Sequence, residues 1–214
     1  MSRFTILLGG DLVRTPRLDT QVAGTRVIAA DAGIRHAATL GVMPELWVGD
    51  FDSVPEGMED AYPDLPREVF PAEKDNTDGE LAIDTALRHG ATKLILAGAF
   101  GGPRADHAFL HLAIAMRLAE SGTPMLLTGG AQEGRPLLPG KSSFDYEDGV
   151  LFSVIGFSAL SGLTLTGVKW PLRAVEVAFG SSLTISNEVK GGLHAELKSG
   201  RAMLIAHPFP GSEF

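Results

Sequence analysis

The sequence predicts an α/β domain followed by an antiparallel β domain. Three observations carry that reading. Up to about residue 128, short apolar runs alternate with helical stretches, which implies a mostly parallel sheet with helices on both faces. Beyond Gly129 no helical periodicity of useful length appears, and short alternating segments with Gly-rich turns imply an antiparallel sandwich. Between the two lies the turn-rich stretch Gly129-Gly130-Ala131-Gln132-Glu133-Gly134-Arg135-Pro136. The boundary is therefore placed near residue 130, giving domains 1–130 and 131–214.

In the first part, residues 4–8, 26–30, 46–48, 68–70, 93–97 and 124–128 read as strands, each bounded by Gly, Pro or Asp. Helices are expected over Gly33–Leu40, over Gly79–His89 and over Asp106–Glu120. In the last of these, Leu110, Ala113, Ile114, Arg117 and Leu118 recur at helical intervals before Ser121-Gly122. In the second part, strands are expected at 150–157, 163–170, 174–179, 183–186, 192–197 and 202–206. Leu163-Thr164-Leu165-Thr166 and Leu193-His194-Ala195-Glu196-Leu197 show the alternation of half-buried strands.

Composition narrows the function classes. With 214 residues and 44% hydrophobic side chains the chain has enough apolar material for a real core. A formal net charge of -8 argues against a duplex nucleic-acid binder, which needs a basic surface to release counterions. The absence of cysteine rules out a disulfide framework and thiolate zinc sites, and fits a reducing compartment. The apolar run at residues 4–10 is too short for a signal peptide or a membrane span, and Asp11 follows it. A soluble cytoplasmic protein without a membrane partner is the expectation.

The chemistry-bearing feature is the placement of aspartates at expected strand ends. Asp31 follows Val27-Ile28-Ala29-Ala30; Asp50 and Asp52 lie in Gly49-Asp50-Phe51-Asp52-Ser53; Asp75 and Asp78 lie in Asp75-Asn76-Thr77-Asp78; Asp106 precedes His107. In an open α/β sheet, ligands bind beyond the carboxyl ends of the strands. Carboxylates gathered there repel one another unless a cation sits among them. Oxygen ligands without Cys or paired His favour a hard ion, Mg²⁺ or Mn²⁺, whose remaining ligands are usually water and phosphate oxygens. Phosphate chemistry follows from that.

Each motif has a structural competitor. Asp50 and Asp52, two apart, project the same way from extended backbone, but Asp and Ser also form ordinary turns. Repetition of the pattern at other strand ends favours the metal. Thr77 and Glu80 have the spacing of a capping box and are assigned to helix structure. Asp75, which precedes the box, and Asp78 are assigned to function. Gly98 to His107 follows a strand and opens a helix, so its backbone N–H groups favour an anion and Arg104 adds a planar fork for phosphate oxygens. Two look-alikes are rejected. Gly134–Ser142 has one residue too many for a P-loop and no helix after it; His107 and His111 lack the Glu of a zinc-protease motif, and His111 fits the packed face of its helix. Trp170 and the Ser186-Asn187-Glu188 segment would ordinarily be core and turn, and matter only if an aromatic substrate is bound.

Taken in order, Ala30-Asp31-Ala32-Gly33, Gly49 to Ser53, Lys74 to Asp78, Gly101 to His107, Gly167-Val168-Lys169-Trp170-Pro171-Leu172 and Ser186-Asn187-Glu188 resemble the thiamine pyrophosphokinases. The resemblance covers most of the chain. It departs at Ala32, where the family usually has Gly, and at Pro103, an extra residue in the usual Gly-Gly-Arg-x-Asp-His run. The resemblance implies an N-terminal nucleotide-binding catalytic domain and a C-terminal β-sandwich that binds thiamine and dimerises. It implies transfer of the pyrophosphoryl group of ATP to the thiamine hydroxyl, releasing AMP, in a homodimer with shared active sites. On this reading Asp50, Asp52, Asp75 and Asp78 are the catalytic metal ligands. Asp31, Gly101, Gly102, Arg104, Asp106 and His107 bind ATP, and Trp170, Ser186 and Asn187 bind thiamine. Two alternatives stand beside it: a pyrophosphokinase acting on a hydroxymethyl-pterin, and a non-catalytic thiamine or nucleotide sensor. Trp170 with Ser186-Asn187 tilts the acceptor towards thiamine, and retention of every metal-site aspartate argues against the sensor.

Overall fold

The structure, a computed structural model, describes residues 2–54, 56–71, 73 and 75–208, so Lys74 lies outside the described residues. Its contacts divide the chain into two units, Met1–His111 with Thr123–Gly130, and Leu112–Gly122 with Ala131–Phe214. No helix among the described residues is long and apolar enough to cross a membrane.

Among the described residues the first unit is built on six strands, β1 (Ser2–Leu7), β2 (Arg26–Ala30), β3 (Leu46–Gly49), β4 (Arg67–Val69), β5 (Ala91–Ala97) and β6 (Met125–Thr128). They run in the order β6-β5-β1-β2-β3-β4, and every pairing is parallel. The order reverses between β1 and β5. In an open α/β sheet such a switch point marks where ligands bind, beyond the carboxyl ends of the strands.

The helices are α1 (Pro16–Val22), α2 (Arg35–Leu40, entered through a 3-10 turn at Asp31–Ile34), α3 (Met58–Ala61), α4 (Asp78–Arg88) and α5 (Ala105–Glu120). Leu7, Val27, Ala29, Trp47 and Ala97 form one face of the sheet and pack with Leu18 and Val22 of α1 and Ala37 and Leu40 of α2. Alternate residues Phe4, Ile6, Ile28, Val48 and Leu96 point the other way, where α4 lies against β1, β2, β3 and β5. Gly33 permits the descent onto β1: a Cβ there would stand 2.1 Å from the Leu7 carbonyl oxygen. Thr77 caps α4 and Glu80 closes the capping box, as their spacing predicts.

The second unit holds β7 (Glu133–Leu137), β8 (Gly140–Phe144), β9 (Leu151–Gly156), β10 (Leu160–Val168), β11 (Leu172–Val177), β12 (Asn187–Leu197) and β13 (Ala202–His207). All their pairings are antiparallel. Strand β12 joins two sheets. Asn187 and Glu188 pair with β9, beside β13 and β7, while the rest of β12 pairs with β8 and β10, the latter beside β11. Between the two pairings lie Gly191 and Gly192, with φ of 93° and 90°, backbone that favours glycine. Leu137, Phe152, Val154, Leu165, Leu193 and Leu204 belong to one buried core.

Three local expectations change. Leu183–Ser186 is a turn: Thr184 bonds Val154 of β9, its O accepting from Val154 N and its hydroxyl donating to Val154 O, Ser186 N donates to the Ser153 side chain, and Ser186 has a left-handed φ of 60°. The segment once weighed as a P-loop contributes to β7 and β8, which the sequence reading did not include. Helix α1 was likewise unmarked, although Thr15 caps it and Pro16 occupies its first turn.

Candidate phosphate and metal site

A cavity of about 700 Å³ opens at the carboxyl ends of the parallel strands. The loops after β1, β2, β3 and β5 and the N-terminal turns of α4 and α5 supply its lining. The β1 loop brings Gly9 and Gly10, the β2 turn Asp31 and Arg35, and the β3 loop Asp50, Asp52 and Ser53. The α4 N-terminus brings Asp78, the β5 loop Gly101, Gly102 and Arg104, and α5 brings His107 and His111.

Carboxylate oxygens of Asp31, Asp50 and Asp78 lie within 4.8 Å of one another. Asp31 is buried, the other two half-buried. Its Oδ2 accepts from the Ser53 hydroxyl, whereas Oδ1 is buried without a hydrogen-bond partner. A buried acceptor left unpaired is costly, and three carboxylates this close repel, so the donor set fits a hard divalent cation. Burial pushes the Asp31 carboxyl above its ordinary value; the charges of Asp78 and Asp50 add to this, while the Ser53 hydroxyl and the Ala32 amide oppose it. Asp52 is also pushed up, chiefly by the charge of Asp50. It lines the cavity beside the trio, its N–H bonded to Asp50 Oδ1 at 3.2 Å.

Backbone strain accompanies the cluster. Asp31 has φ 42° and Phe51, between the two aspartates of its loop, φ 66°. Left-handed geometry is tolerated by Asp but is an outlier for a bulky aromatic residue, and persists only where surroundings enforce it. The Phe51 ring packs edge-on against Trp47 at 5.0 Å and lies under the Arg67 guanidinium.

The loops of β1 and β5 are fastened together. Gly10 N donates to Gly98 O at 2.9 Å, Asp11 N to Phe100 O at 2.7 Å, and Gly102 N to Asp11 Oδ2 at 3.0 Å. Gly101 and Gly102 have φ of 65° and 78°, and a Cβ on Gly101 would meet the Asp11 carboxylate at 2.2 Å. Arg104 turns to Asp106 with Nη2 to Oδ2 at 2.7 Å, both side chains exposed. That hydrogen bond holds the Asp106 carboxyl well below the usual range. His111 is buried, bonds Ala99 O through Nδ1 at 3.1 Å, and is pushed down by burial.

The predicted residues thus separate. Asp31, Asp50, Asp52, Asp78, Gly101, Gly102, Arg104 and His107 line one cavity. Asp75 is exposed and Asp106 engages Arg104, and neither is part of the lining. In the second unit Trp170 is 54% exposed, with Lys169 Nζ 4.8 Å from its ring centre. Asn187 is buried and its amide is committed to the Trp170 backbone: Nδ2 donates to Trp170 O at 2.8 Å and Oδ1 accepts from Trp170 N at 3.1 Å. Ser186 is exposed and its N–H is held by Ser153 Oγ at 3.0 Å.

Comparison with known proteins decides the family. Residues 22–127 match the domain described as thiamin pyrophosphokinase, catalytic domain, and residues 143–204 match thiamin pyrophosphokinase, vitamin B1 binding domain. The thiamine pyrophosphokinase of Bacillus subtilis is 32% identical over 196 residues, covering 88% of this chain and 90% of that protein. The chain belongs to the thiamin pyrophosphokinase family. Solved family members carry the same fold. The crystal structure from Bacillus subtilis superposes with a TM-score of 0.84 at 29% identity, covering 96% of this chain and 99% of that one. The enzyme of Geobacillus thermodenitrificans gives 0.77 at 30% identity over the whole of both chains. At 14% identity the Candida albicans protein, TM-score 0.78, shares the fold alone. Each of these relatives is named as a thiamine or thiamin pyrophosphokinase, none as a pterin-directed enzyme or a sensor. The carboxylate trio lies within the stretch matched to the family's catalytic domain, and Trp170, Ser186 and Asn187 within the stretch matched to its vitamin B1 binding domain.

Several lining residues escaped the sequence reading. Gly9 and Gly10 carried a usable signal, a glycine pair in the first βα turn of an α/β domain. Ser53 carries only the signal of an ordinary turn residue. Arg35 carried no signal, because a lone Arg at the start of a helix is ordinary surface.

Proposed function

We infer that this chain transfers the pyrophosphoryl group of ATP to the hydroxyl of thiamine, giving thiamine diphosphate and AMP. Family membership over 88% of the chain is the observation that carries the reading. In the transfer, the thiamine hydroxyl oxygen bonds to the β-phosphorus and the bond from that phosphorus to the oxygen shared with the α-phosphate breaks. AMP leaves with that oxygen, and the hydroxyl proton passes to a carboxylate of the cavity or to water.

Asp31, Asp50 and Asp78 would hold Mg²⁺ or Mn²⁺, with Asp52 beside them; the orphaned Asp31 Oδ1 supports this choice. Bound there, the ion supplies charge neutralisation for the triphosphate and the transferred group. Gly101, Gly102, Arg104 and His107 receive the nucleotide, and the strained turns at Asp31 and Phe51 fix the carboxylates before substrate arrives. Asp106 serves by aiming Arg104. Residues 1–130 form this nucleotide and metal part, and residues 131–214 hold thiamine and the dimer contact.

Trp170 offers an aromatic face for thiamine, Ser186 a hydroxyl, and Asn187 sets the Trp170 backbone. The same unit exposes Leu151, Ile155, Phe179, Leu183 and Ile185, apolar area suited to a second copy in a two-fold homodimer. The reaction is assigned to the cytoplasm, where ATP is available, in keeping with a cysteine-free chain.

Incubation with thiamine, ATP and Mg²⁺ tests the reading by product analysis. Equimolar thiamine diphosphate and AMP are expected; ADP with thiamine monophosphate, or no thiamine consumed, would refute it. The shared site is tested by mixing Asp50→Asn with Trp170→Ala under subunit exchange. Partial recovery of activity is expected, and a fully active monomer would contradict the dimer.

A further inference from the structure

The cavity's charges are unbalanced in a way that draws attention to Arg35. Among the described lining residues the carboxylates are Asp31, Asp50, Asp52 and Asp78, and the arginines are Arg35 and Arg104. A polyphosphate that enters such a site, even with its cation, needs fixed positive groups at its oxygens. Arg104 already gives Nε and Nη2 to Asp106, with Nε to Oδ1 at 3.0 Å and Nη2 to Oδ2 at 2.7 Å, so the edge best suited to phosphate is in use.

Arg35 stands differently. It opens α2 immediately after the turn that carries Asp31, so its backbone is tied to the carboxylate cluster. Its Nη2 donates to Gly9 O and, at 3.0 Å, to Gly10 O. The platform beneath those carbonyls is fixed. Gly10 N donates to Gly98 O at 2.9 Å, His36 Nε2 bonds Gly10 O at 2.9 Å, and a Cβ on Gly10 would stand 2.4 Å from Gly98 O. Two consecutive carbonyl oxygens at the mouth of a phosphate site would repel an anion. Arg35 covers both through Nη2, and among the described residues nothing bonds its Nε or Nη1, whose N–H groups remain for a ligand.

We propose that Arg35 is a substrate-binding residue: a second phosphate-recognising cation, anchored on the Gly9 and Gly10 carbonyls, that contacts the polyphosphate chain of the nucleotide. The proposal rests on the pyrophosphoryl-transfer reading above and assigns one more of that site's contacts. A planar guanidinium held at one nitrogen is pre-aimed, so little side-chain entropy is lost when phosphate binds.

The test compares wild type, Arg35→Met and Arg35→Lys in two measurements. The first is turnover with thiamine, ATP and Mg²⁺; the second is calorimetric binding of ATP and, separately, of adenosine, which has no phosphate. Arg35→Met should weaken ATP binding and raise the KM for ATP roughly tenfold or more, the loss expected for a charge-assisted contact. Adenosine binding should stay within about twofold and Tm should hold, with Arg35→Lys in between. Should Arg35→Met fail to fold, Arg35→Gln keeps an N–H for the two carbonyls, removes the charge, and is expected to show the same ATP-selective loss. Unchanged ATP affinity would overturn the proposal. So would an equal loss for ATP and adenosine, which would make Arg35 a support for the loop. An inactive wild type that still binds ATP in an Arg35-dependent way would instead sink the transfer reading and leave Arg35 as a phosphate ligand.

Discussion

The indole Nε1 of Trp47 donates to the backbone carbonyl of Asp31 over 3.0 Å, inside a core where Trp47 is fully buried. One side chain of β3 thereby steadies the left-handed turn after β2, and the same indole packs T-shaped with Phe51 in the neighbouring aspartate loop. Strain at the carboxylate cluster is held by the sheet behind it. Trp47→Phe keeps an aromatic ring and removes the donor. The orphaned carbonyl should cost ~1–3 kcal/mol in denaturant unfolding, with turnover reduced as well. Wild-type stability and activity in that variant would show the bond to be dispensable.

The raised pKa of Asp31 gives a pH signature. Its folded value lies above its unfolded one, so its stabilising contribution is present at acid pH and is lost as pH rises through the folded pKa. Without Mg²⁺, Asp31→Asn should gain in Tm relative to wild type as pH rises from roughly 4 to 7. Added Mg²⁺ should raise the wild-type Tm, more at the upper end of that range, and should act weakly on the variant. A pH-independent difference, or equal Mg²⁺ effects on both proteins, would count against the cluster as the ion's site.

Asp75 and Asp78 had equal standing in the sequence but occupy different places. Asp78 opens α4 within the trio, while Asp75 is exposed and outside the cavity lining. Steady-state turnover should therefore fall much further in Asp78→Asn than in Asp75→Asn. Equal losses would return Asp75 to the metal site.

Legibility followed burial. Strands such as Val27-Ile28-Ala29-Ala30 were readable because both faces of a parallel strand are covered and the run is uniformly apolar. Helix α1 was not, since only Leu18 and Val22 are buried in an otherwise polar segment. Strand β7 carries Gly134 and Pro136, residues that read as a turn until β13 is there to pair with them. In the site, aspartates at strand ends were visible, but which three converge depends on backbone turns. The place of Asp31 in the trio comes from its left-handed φ and from the packing of Gly49, where a Cβ would stand 3.1 Å from Asp31 Cβ. Arg35 acquires meaning only from carbonyls 25 and 26 residues away in sequence.

Trp170 and Asn187 should separate in mutant behaviour. The Trp170 ring is half exposed, so Trp170→Ala should cost little stability and raise the KM for thiamine several-fold, about what a lost stacking or cation–π contact gives. Asn187 is buried and bonded at both ends of its amide, so Asn187→Ala should lower Tm as well as weaken thiamine use. Kinetics with thiamine varied at saturating ATP, beside thermal unfolding, distinguish them. A Trp170→Ala enzyme with an unaltered KM for thiamine would remove the ring from the acceptor site.

On the proposed function, the carboxylate cluster at the end of the parallel sheet runs pyrophosphoryl transfer to thiamine. Wild type and Asp50→Asn, assayed side by side with thiamine, ATP and Mg²⁺, test it most directly, because the substitution deletes one charge and preserves shape. Wild type should release thiamine diphosphate and AMP in equal amounts, and the folded variant should lose on the order of a hundredfold or more in rate, the scale of removing a preorganised electrostatic contact. A wild type that makes no thiamine diphosphate, or an Asp50→Asn enzyme that makes it at the wild-type rate, would contradict the account.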